Sequence, residues 1–362
     1  MVAWDRGSTL ADRFRAHAGD STNLYGVAMR AMADDWEAGG PVRAVCAGYE
    51  DAPVGSALQL RLLAGVFRLV LGGQAPELVP HYACLGGGAP PDGVWAVMRP
   101  VVARHVPELR AALEVAPQTN EVGRSAALLA GLFDILPAAG VSRVRLLELG
   151  ARAGLNLLVD RFRITGDGWA VGPTTSPVVL DDAVQGAVHP VPFTVVARAG
   201  CDLAPVDAGT DAGQVLLTSF VWPFDLHRHA RLAAALEIHR RHPVSVDRAG
   251  AGDWLAARLA EDADDPAVLT VVWHSITRLY WPPAEVAGVD ALLAQHGTGR
   301  RVARVAMEFD LDPALDPTVS AARPPSLHTS LWDPSQGRGP RHRRLGSAHD
   351  HGLPVRLDPP LA

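Results

Sequence analysis

The chain has 362 residues, a net charge of −6 and a 48% hydrophobic composition, so it is long enough for two folded domains with a sizeable core. It contains no lysine. This excludes Schiff-base enzymes, pyridoxal phosphate enzymes and P-loop nucleotide hydrolases, because each requires an ammonium group that arginine cannot replace. The acidic balance also argues against a general nucleic-acid surface, which needs a broad positive stripe.

The cysteines and the amino terminus indicate a cytoplasmic protein. Cys46, Cys84 and Cys201 lie far apart and form no CxxC pair, so neither a disulfide scaffold nor a structural zinc site is expected. The first residues, MVAWDRGSTLADRF, lack the apolar core of a signal peptide. No run reaches the roughly 18–20 uninterrupted apolar residues of a membrane span.

Residues 1–140 are predicted to form an all-helical region. Amphipathic spacing from Leu10 to Met32 and the apolar segments 57–71, 94–106 and 121–136 each predict a helix. A stretch rich in glycine and proline, residues 85–93, interrupts them. We expect this region to cover a substrate site in the domain that follows.

Residues 141–362 are predicted to form an α/β domain, because short apolar runs alternate with helical segments. The predicted strands are 144–149, 193–197, 243–246, 269–274 and 302–309, and the predicted helices are 155–162, 226–239, 253–260 and 284–295. Such alternation implies parallel pairing with right-handed crossovers. Two last strands, 328–332 and 353–357, suggest a terminal antiparallel hairpin. The expected fold is therefore a Rossmann-like α/β sheet, mostly parallel, preceded by helices.

Two polar stretches of this domain are interpreted as irregular. Residues 166–190 are rich in glycine, proline and threonine and predict a loop or a hairpin insertion. The arginine cluster RGPRHRR, residues 338–344, is interpreted as a solvated loop. Neither stretch is assigned a role in binding.

The most informative segment is LLELGARAGLN, residues 146–156. Glu148, Gly150 and Gly154 form E-x-G-x-x-x-G between a buried strand and a predicted helix. Glycine at these positions permits a tight turn and close approach of a ligand, and the N–H groups of a helix start suit a carboxylate or phosphate. S-adenosylmethionine offers such a carboxylate, and an acid at the strand end can place its ammonium group. A dinucleotide fingerprint would need glycine at Arg152 and Leu155, which disfavours nicotinamide binding. A turn with no ligand is the alternative.

Six short segments resemble a known family. They are TNEVGRSAAL (119–128), LLELGARAGLNLLVDRF (146–162), AGCDLAPVD (199–207), SFVWP (219–223), DWL (253–255) and VVWHS (271–275). In this order they are similar to the bacterial domain of unknown function 2332 family. That resemblance implies a class I methyltransferase fold with a helical amino-terminal extension. One departure concerns the adenine side, where Gly250 stands at the place expected for an acid.

On the methyltransferase interpretation, the cofactor would lie beyond the carboxyl ends of the strands. The residues expected around its methionine part are Glu148, Gly150, Ala151, Gly154 and Asn156. Asp202, after the second strand, could accept hydrogen bonds from the ribose hydroxyls, although ordinary loop capping explains it as well. Asp253 is the remaining candidate on the adenine side.

Three polar residues open an otherwise apolar helix at Asn120, Glu121 and Arg124, directly after Gln118 and Thr119. Helix capping explains the first residues of this cluster. It leaves Arg124 unexplained, and an arginine there could hold a carboxylate through two hydrogen bonds. We therefore favour a role in covering the cofactor or substrate.

The end of the fourth predicted strand carries further candidates. His274 could take the proton that the methyl acceptor loses, or it could be a buried histidine bonded to the backbone. Trp273, Tyr280 and Trp281 could line the pocket and face the sulfonium, or they could be packing residues. The pairs His227/His229 and His349/His351 lack further ligands at convincing spacing, so no metal is predicted.

The leading hypothesis is a cytoplasmic, S-adenosylmethionine-dependent methyltransferase that acts on a small molecule and has no nucleic-acid or membrane partner. The alternative is a non-catalytic Rossmann-like protein that has kept the fold and binds a ligand without methyl transfer. A third possibility is a nicotinamide or nucleotide-sugar enzyme, which requires the glycine loop to accept a pyrophosphate.

Overall fold

The computed structural model describes residues 9–117, 120–261, 265–310, 323–336 and 339–359. The chain forms two compact units that alternate along the sequence. One comprises Met1–Thr119 and Thr210–Ala230, and the other comprises Asn120–Gly209 and Arg231–Ala362.

The α-helices are, in chain order, α1 (Leu10–Ala18), α2 (Leu24–Glu37), α3 (Pro41–Cys46), α4 (Leu58–Leu71), α5 (Val94–Arg104), α6 (Val106–Leu113), α7 (Ser125–Ala139), α8 (Asp211–Ser219), α9 (Leu226–Arg241), α10 (Ala251–Ala260) and α11 (Pro283–His296). The first unit holds α1–α6, α8 and the start of α9, and its described elements are all helical. Buried apolar residues of these helices form one core cluster, in which Phe14, Met29, Phe67 and Met98 are almost completely inaccessible.

The amphipathic segment from Leu10 to Met32, predicted as one helix, is two helices. Gly19 ends α1 with a left-handed φ of 51°, which a glycine adopts without strain. Asn23 then starts α2, and its side chain accepts a hydrogen bond from the backbone N–H of Gly26 at 2.9 Å. The apolar spacing continues from α1 into α2 because each helix buries one apolar face.

The second unit is built on a mixed, 11-stranded, mostly parallel sheet. Its strands are β1 (Arg143–Leu149), β2 (Arg163–Gly166), β3 (Trp169–Val171), β4 (Val179–Gln185), β5 (Thr194–Asp202), β6 (Val246–Arg248), β7 (Val268–Ser275), β8 (Val302–Glu308), β9 (Ser326–Trp332), β10 (Arg341–Ala348) and β11 (Val355–Leu357). Their order in space is β3-β2-β4-β11-β10-β9-β8-β7-β1-β5-β6. The run β6-β5-β1-β7-β8 is parallel throughout.

The two faces of this parallel run pack against different helices. Successive side chains of a strand point to opposite faces. Leu147, Leu149 and Val272 belong to a core cluster with buried residues of α10 and α11. On the other face, Gly131 of α7 lies against Val305 of β8. Residues at even positions of β7 and β8 therefore face α10 and α11, whereas odd ones face α7.

The segment after the glycine turn is not the predicted α-helix. Residues Leu155–Arg161 form a 3₁₀ segment that is interrupted at Leu158, and β2 begins at Arg163. Leu155, Leu158, Val159 and Phe162 are all buried, as the apolar spacing indicated. The spacing identified the buried face, but the backbone of Leu158, with φ −93° and ψ 17°, departs from helical geometry and interrupts the segment.

The predicted terminal hairpin is wrong in its pairing. Both predicted strands exist as β9 and β11, but β10 lies between them and pairs antiparallel with each. The arginine cluster was interpreted as a loop, whereas Arg341–Arg344 begin β10, where they pair only with β9. Arg341 and Arg343 bind Asp134 of α7, and Arg344 binds Asp358. Charged side chains along an exposed strand edge oppose further strand pairing.

The insertion between β1 and β5 is a sheet extension. Strands β2 and β3 form an antiparallel hairpin around Gly168, and β4 pairs parallel to β2. Residues 166–190 were predicted to be a loop or a hairpin insertion. The hairpin is present, although β2 begins before this range and β4, which lies within it, was not predicted as a strand. Strand β4 also pairs with β11 and so joins the insertion to the rest of the sheet.

One helical stretch, Val122–Ala139, is long and apolar enough to cross a membrane, and 78% of that window is buried inside the protein. It consists of a short 3₁₀ turn and α7, which packs on the sheet. Because most of this window is buried inside the protein, the stretch is part of the core of the second unit.

We expect Gly131→Ala to lower the free energy of unfolding by about 1–2 kcal/mol. A Cβ at this position would lie 2.8 Å from Cγ2 of Val305. Overpacking costs about 1–3 kcal/mol and exceeds the gain of up to about 1 kcal/mol in helix propensity. The matched control is Gly288→Ala in α11, where a Cβ would meet nothing within 4 Å. Chemical denaturation should show the control to be neutral or stabilising, and equal effects of the two changes would contradict the close packing of α7 on β8.

Candidate functional site

The turn after β1 has an unusual backbone. Gly150, Arg152 and Gly154 have φ angles of 73°, 56° and 71°. The carbonyl of Cys201 on β5 accepts hydrogen bonds from the N–H groups of Gly150 and Ala151, both at 2.9 Å. The turn is therefore attached to the neighbouring strand.

Further N–H groups of this turn also donate to protein acceptors. Arg152 N–H donates to Asp202 Oδ2 at 3.1 Å, and Leu155 N–H donates to Asn120 Oδ1 at 3.2 Å. Gly154 N–H donates to the carbonyl of Ala151. The expectation of freed N–H groups at a helix start is wrong for these residues, because the chain turns into a 3₁₀ segment and its amides find partners nearby.

Glu148 is the buried acid of the site. Its side chain lies on the α7 face of β1, is 2% exposed, and accepts a hydrogen bond from Trp273 Nε1 at 3.1 Å. The second oxygen, Oε2, is buried and has no hydrogen-bond partner among the described residues. Burial raises the pKa of this carboxyl to about 8, against the smaller lowering effects of the Asn156 amide, the Trp273 indole and the charge of Arg124. At neutral pH it is mostly protonated.

Asn156 and Asn120 connect the turn to the residues before α7. Asn156 is 2% exposed, and its Oδ1 accepts a hydrogen bond from Ser125 Oγ at 2.8 Å. Asn120 also donates from Nδ2 to the carbonyl of Ala151 at 3.3 Å. Together with the bond from Leu155, this means that both the nitrogen and the oxygen of the Asn120 side-chain amide bind the glycine turn. Asn120, a member of the predicted polar cluster, is therefore in contact with the turn.

The other two members of that cluster bind protein groups. Arg124 donates from Nε to the carbonyl of Asp350 and from Nη1 to the carbonyl of Ser275. Glu121 accepts hydrogen bonds from Gly123 N–H and from Arg231 Nη2. In this conformation Arg124 joins two loops at the carboxyl edge of the sheet. Gln118 and Thr119 lie outside the described residues.

Asp202 ends β5 and is occupied by the turn. Arg152 contacts it twice, through its backbone N–H and through Nη1 at 3.2 Å, and Ala204 N–H donates to it at 2.8 Å. Burial lowers the pKa of the Arg152 guanidinium, opposed by the charge of Asp202 and by Tyr280. Tyr280 is 70% exposed and stands at this edge. A ribose could reach Asp202 only by displacing part of this arrangement.

Asp253 is exposed in the first turn of α10, away from the contacts described so far. The acid that does act at this helix start is Glu285 of α11, which accepts a hydrogen bond from Gly252 N–H at 2.8 Å. A Cβ on Gly250 would be 3.4 Å from Glu285 Oε1. Glu285 therefore places a carboxylate beside Gly250.

His274 forms a pair with a residue that the sequence did not indicate. Its Nδ1 lies 2.7 Å from Glu308 Oε1. The imidazole is fully buried, its Nε2 has no hydrogen-bond partner among the described residues, and the Trp281 ring lies 5.4 Å away. Glu308 is the last residue of β8 and lies within the predicted strand 302–309, where it carried no motif. Its only signal was a charged residue near the end of an apolar run.

The segment between β7 and α11 covers the glycine turn. Ile276 has a φ of 48°, a strained conformation for a β-branched residue. Thr277 packs directly on Gly150, where an added Cβ would lie 2.9 Å from Thr277 Cβ. The N–H groups of Thr277 and Arg278 donate to Glu308. Glu308 thus contacts both the imidazole and the segment over the turn.

The predicted site residues divide between the two faces of the sheet. Glu148 and Trp273 lie on the face of α7, whereas His274 and Glu308 lie on the face of α10 and α11, since adjacent positions of β7 point in opposite directions. The two groups meet only at the carboxyl edge, where the turn and residues 276–281 lie.

His349, Asp350 and His351 are the one group in the described ranges whose ligand atoms lie within 4.8 Å of one another. These three residues are consecutive in an outer loop, and His349 Nδ1 already accepts the N–H of His351. Exposed groups of this kind are common without a metal ion. The buried residues at the carboxyl edge are the better candidates for function.

The fold and these residues define a mixed α/β protein with a buried acid and a buried histidine–glutamate pair at one sheet edge. The chain belongs to the DUF2332 family, described as an uncharacterized protein conserved in bacteria, whose model matches residues 8–356. This confirms the family predicted from the six sequence segments. No curated protein and no solved structure matches the chain.

Proposed function

We propose that this protein is an S-adenosylmethionine-dependent methyltransferase that acts on a small molecule. The observation that carries the proposal is the strand order β6-β5-β1-β7-β8, which runs third, second, first, fourth, fifth among the strands of this parallel run. This is the order of doubly wound Rossmann-like sheets. Ligands of such sheets bind beyond the carboxyl ends of the strands at the point where the order reverses. Here that point lies between β1 and β7.

The side chains at this point support an adenosyl ligand with an amino-acid part. Glu148 Oε2 has no hydrogen-bond partner within the described part of the chain, and an ammonium group beside it would satisfy it. Trp273 borders the same carboxylate and offers a ring for a sulfonium. Gly150, Ala151, Gly154, Asn156 and Asn120 form or hold the adjoining turn, Asp202 ends the neighbouring strand, and Asp253 stays a more distant candidate on the adenine side.

Methyl transfer needs alignment and a place for a proton. The acceptor's lone pair forms the new bond to carbon, the S–CH₃ bond breaks, and its electron pair stays on sulfur as a thioether. His274 is the proposed proton acceptor. Arg124, Glu121 and Tyr280 would frame the edge where the acceptor enters.

The second candidate function is ligand binding without catalysis. The observation that favours it is that the glycine turn already makes contacts within the protein. Its backbone N–H groups donate to protein acceptors, and Thr277 packs on Gly150. Replacement of His274 by Asn separates the two candidates. A methyltransferase would lose turnover and keep cofactor affinity, whereas a binding protein would show no turnover to lose.

The proposed location is the cytoplasm, and the proposed partner is a small molecule rather than a nucleic acid or a membrane. The arginines at the start of β10 support the absence of a nucleic-acid partner, because Arg341 and Arg343 share the carboxylate of Asp134 and Arg344 binds Asp358. A surface that binds phosphates would present such groups without internal carboxylates.

The test is isothermal titration with S-adenosylmethionine and S-adenosylhomocysteine, with NAD as the comparison ligand. We expect micromolar binding of the adenosyl ligands and at least tenfold weaker binding by Glu148→Gln, since a charge-assisted hydrogen bond contributes about 1.5–3 kcal/mol and 1.4 kcal/mol is tenfold. The matched control is Glu237→Gln, an exposed acid of α9. Binding should also release close to one proton at pH 7, because the ammonium ionises Glu148.

Titration in buffers of different ionisation enthalpy measures that proton, and Glu148→Gln should abolish its release. Binding of NAD with comparable affinity would favour the nicotinamide alternative. Absence of binding by either adenosyl ligand would remove the methyltransferase proposal.

A further inference from the structure

The contact between His274 and Glu308 joins two neighbouring strands at the carboxyl edge. The two residues are 34 positions apart in sequence, and both lie on the face of α10 and α11. The imidazole is buried completely and Glu308 is 8% exposed. An imidazole whose Nδ1 is hydrogen-bonded to a carboxylate and whose Nε2 makes no hydrogen bond has the arrangement of a general base oriented by an acid.

The hydrogen bonds around Glu308 determine which nitrogen of His274 carries the proton. Glu308 accepts the N–H groups of Thr277 and Arg278, so its oxygens act as hydrogen-bond acceptors. The remaining partner, Nδ1 at 2.7 Å, must then donate. A neutral imidazole that donates from Nδ1 presents a lone pair at Nε2.

The environment of Nε2 agrees with a lone pair rather than an N–H group. That atom is buried without a partner among the described residues. A buried donor without an acceptor costs about 1–3 kcal/mol, and native structures keep such donors rare. A lone pair beside the Trp281 ring leaves one acceptor unused, which folded proteins tolerate more readily.

We propose that Glu308 is the positioning residue of His274: it holds the imidazole as the Nδ1–H tautomer and leaves Nε2 to accept the proton of the methyl acceptor. This role rests on the proposed function. As the new bond to the methyl group forms, the acceptor's proton passes to Nε2, and the resulting imidazolium is stabilised by the carboxylate of Glu308. Nε2 is enclosed in this conformation, so an acceptor reaches it only after neighbouring side chains, Trp281 among them, move.

The same carboxylate connects the base to the glycine turn. Through the N–H groups of Thr277 and Arg278, Glu308 holds the segment that packs on Gly150. Arg278 is held in addition by Asp290 of α11 at 2.7 Å. The position of His274 and the covering of the turn therefore depend on one side chain, which no sequence motif marks.

The experiment is long-range ¹H–¹⁵N NMR of the protein labelled at its 14 histidines, with His274→Asn used to assign the signal. At about pH 8.5, where imidazoles of ordinary pKa are neutral, we expect the wild type to show Nδ1–H and an unprotonated Nε2. Glu308→Ala should move most of the population to Nε2–H. Glu308→Gln should restore Nδ1–H, because its amide oxygen can accept the same hydrogen bond.

Glu285→Ala is the matched control, since Glu285 also accepts a backbone N–H but contacts no histidine among the contacts described. It should leave the His274 signal unchanged. An Nε2–H tautomer in the wild type would overturn the proposal even if Glu308→Ala failed to fold, and so would a folded Glu308→Ala protein with an unchanged tautomer.

A failed titration with S-adenosylmethionine would remove methyl transfer but would leave the tautomer measurement as it stands, so the two failures are distinguishable. With an acceptor identified, Glu308→Ala should lower kcat by about 10²–10⁴-fold, the usual contribution of general acid–base catalysis.

Discussion

The wild-type protein is expected to lose stability as the pH rises from about 4.5 to about 8, and Glu148→Gln is expected to abolish this loss. The carboxyl of Glu148 is fully buried, and its pKa is raised from the ordinary 4.5 to about 8. Within this interval the folded protein keeps a proton that the unfolded chain has lost. The free energy of unfolding therefore falls as the pH rises. The full contribution is present below pH 4.5 and is lost above the folded pKa.

The size of this effect follows from the two pKa values. Each pKa unit corresponds to about 1.4 kcal/mol, so the difference between 4.5 and about 8 amounts to about 5 kcal/mol. Glutamine has no proton to lose and should show no such slope. It also leaves a buried amide where Oε2 had no partner, so its stability at pH 5 should not exceed that of the wild type.

The measurement is urea unfolding of both proteins at several pH values from 4.5 to 9, followed through the fluorescence of tryptophan. Glu237→Gln serves as the control for loss of an exposed acid and should keep the wild-type slope. Parallel curves for the wild type and Glu148→Gln would show that the buried carboxyl does not hold its proton. The same variant is expected to bind the cofactor more weakly. Its greater stability than the wild type at high pH and its weaker binding would then have one cause, the loss of the Glu148 carboxyl.

The central part of the sheet could be predicted because its strands are continuous apolar runs. β1 and β7 are buried on both faces, and such strands show no polar alternation. Arg341–Arg344 were interpreted as a loop because they lack the apolar pattern of a strand. They form a strand because they pair with β9 along one edge. Local composition reports burial, and it fails where a strand is held by long-range pairing rather than by apolar contacts.

The candidate site was predictable only in part. Glu148 and His274 stand out as polar residues at the ends of apolar runs, and the structure places both in buried positions. Glu308 was missed because its contact with His274 crosses 34 residues. The partners of Arg124 are main-chain carbonyls of Asp350 and Ser275, and no residue type in a sequence indicates a carbonyl.

Gly150→Ala is expected to lower the free energy of unfolding by about 2–4 kcal/mol. An alanine at a φ of 73° pays about 1–2 kcal/mol for the left-handed conformation. Its Cβ would also lie 2.9 Å from Thr277 Cβ, and such overpacking costs about 1–3 kcal/mol. The strained backbone at Ile276 restricts how far Thr277 can retreat.

Gly168→Ala in the β2–β3 hairpin is the matched control, because its φ is 76° and an added Cβ would meet nothing within 4 Å. It should cost only the conformational part, about 1–2 kcal/mol. In the Thr277→Gly background the contact is absent, so Gly150→Ala should cost no more than this control does. Denaturation of the single and double variants measures the coupling between the two positions. Additive effects would contradict the packing of Thr277 on Gly150.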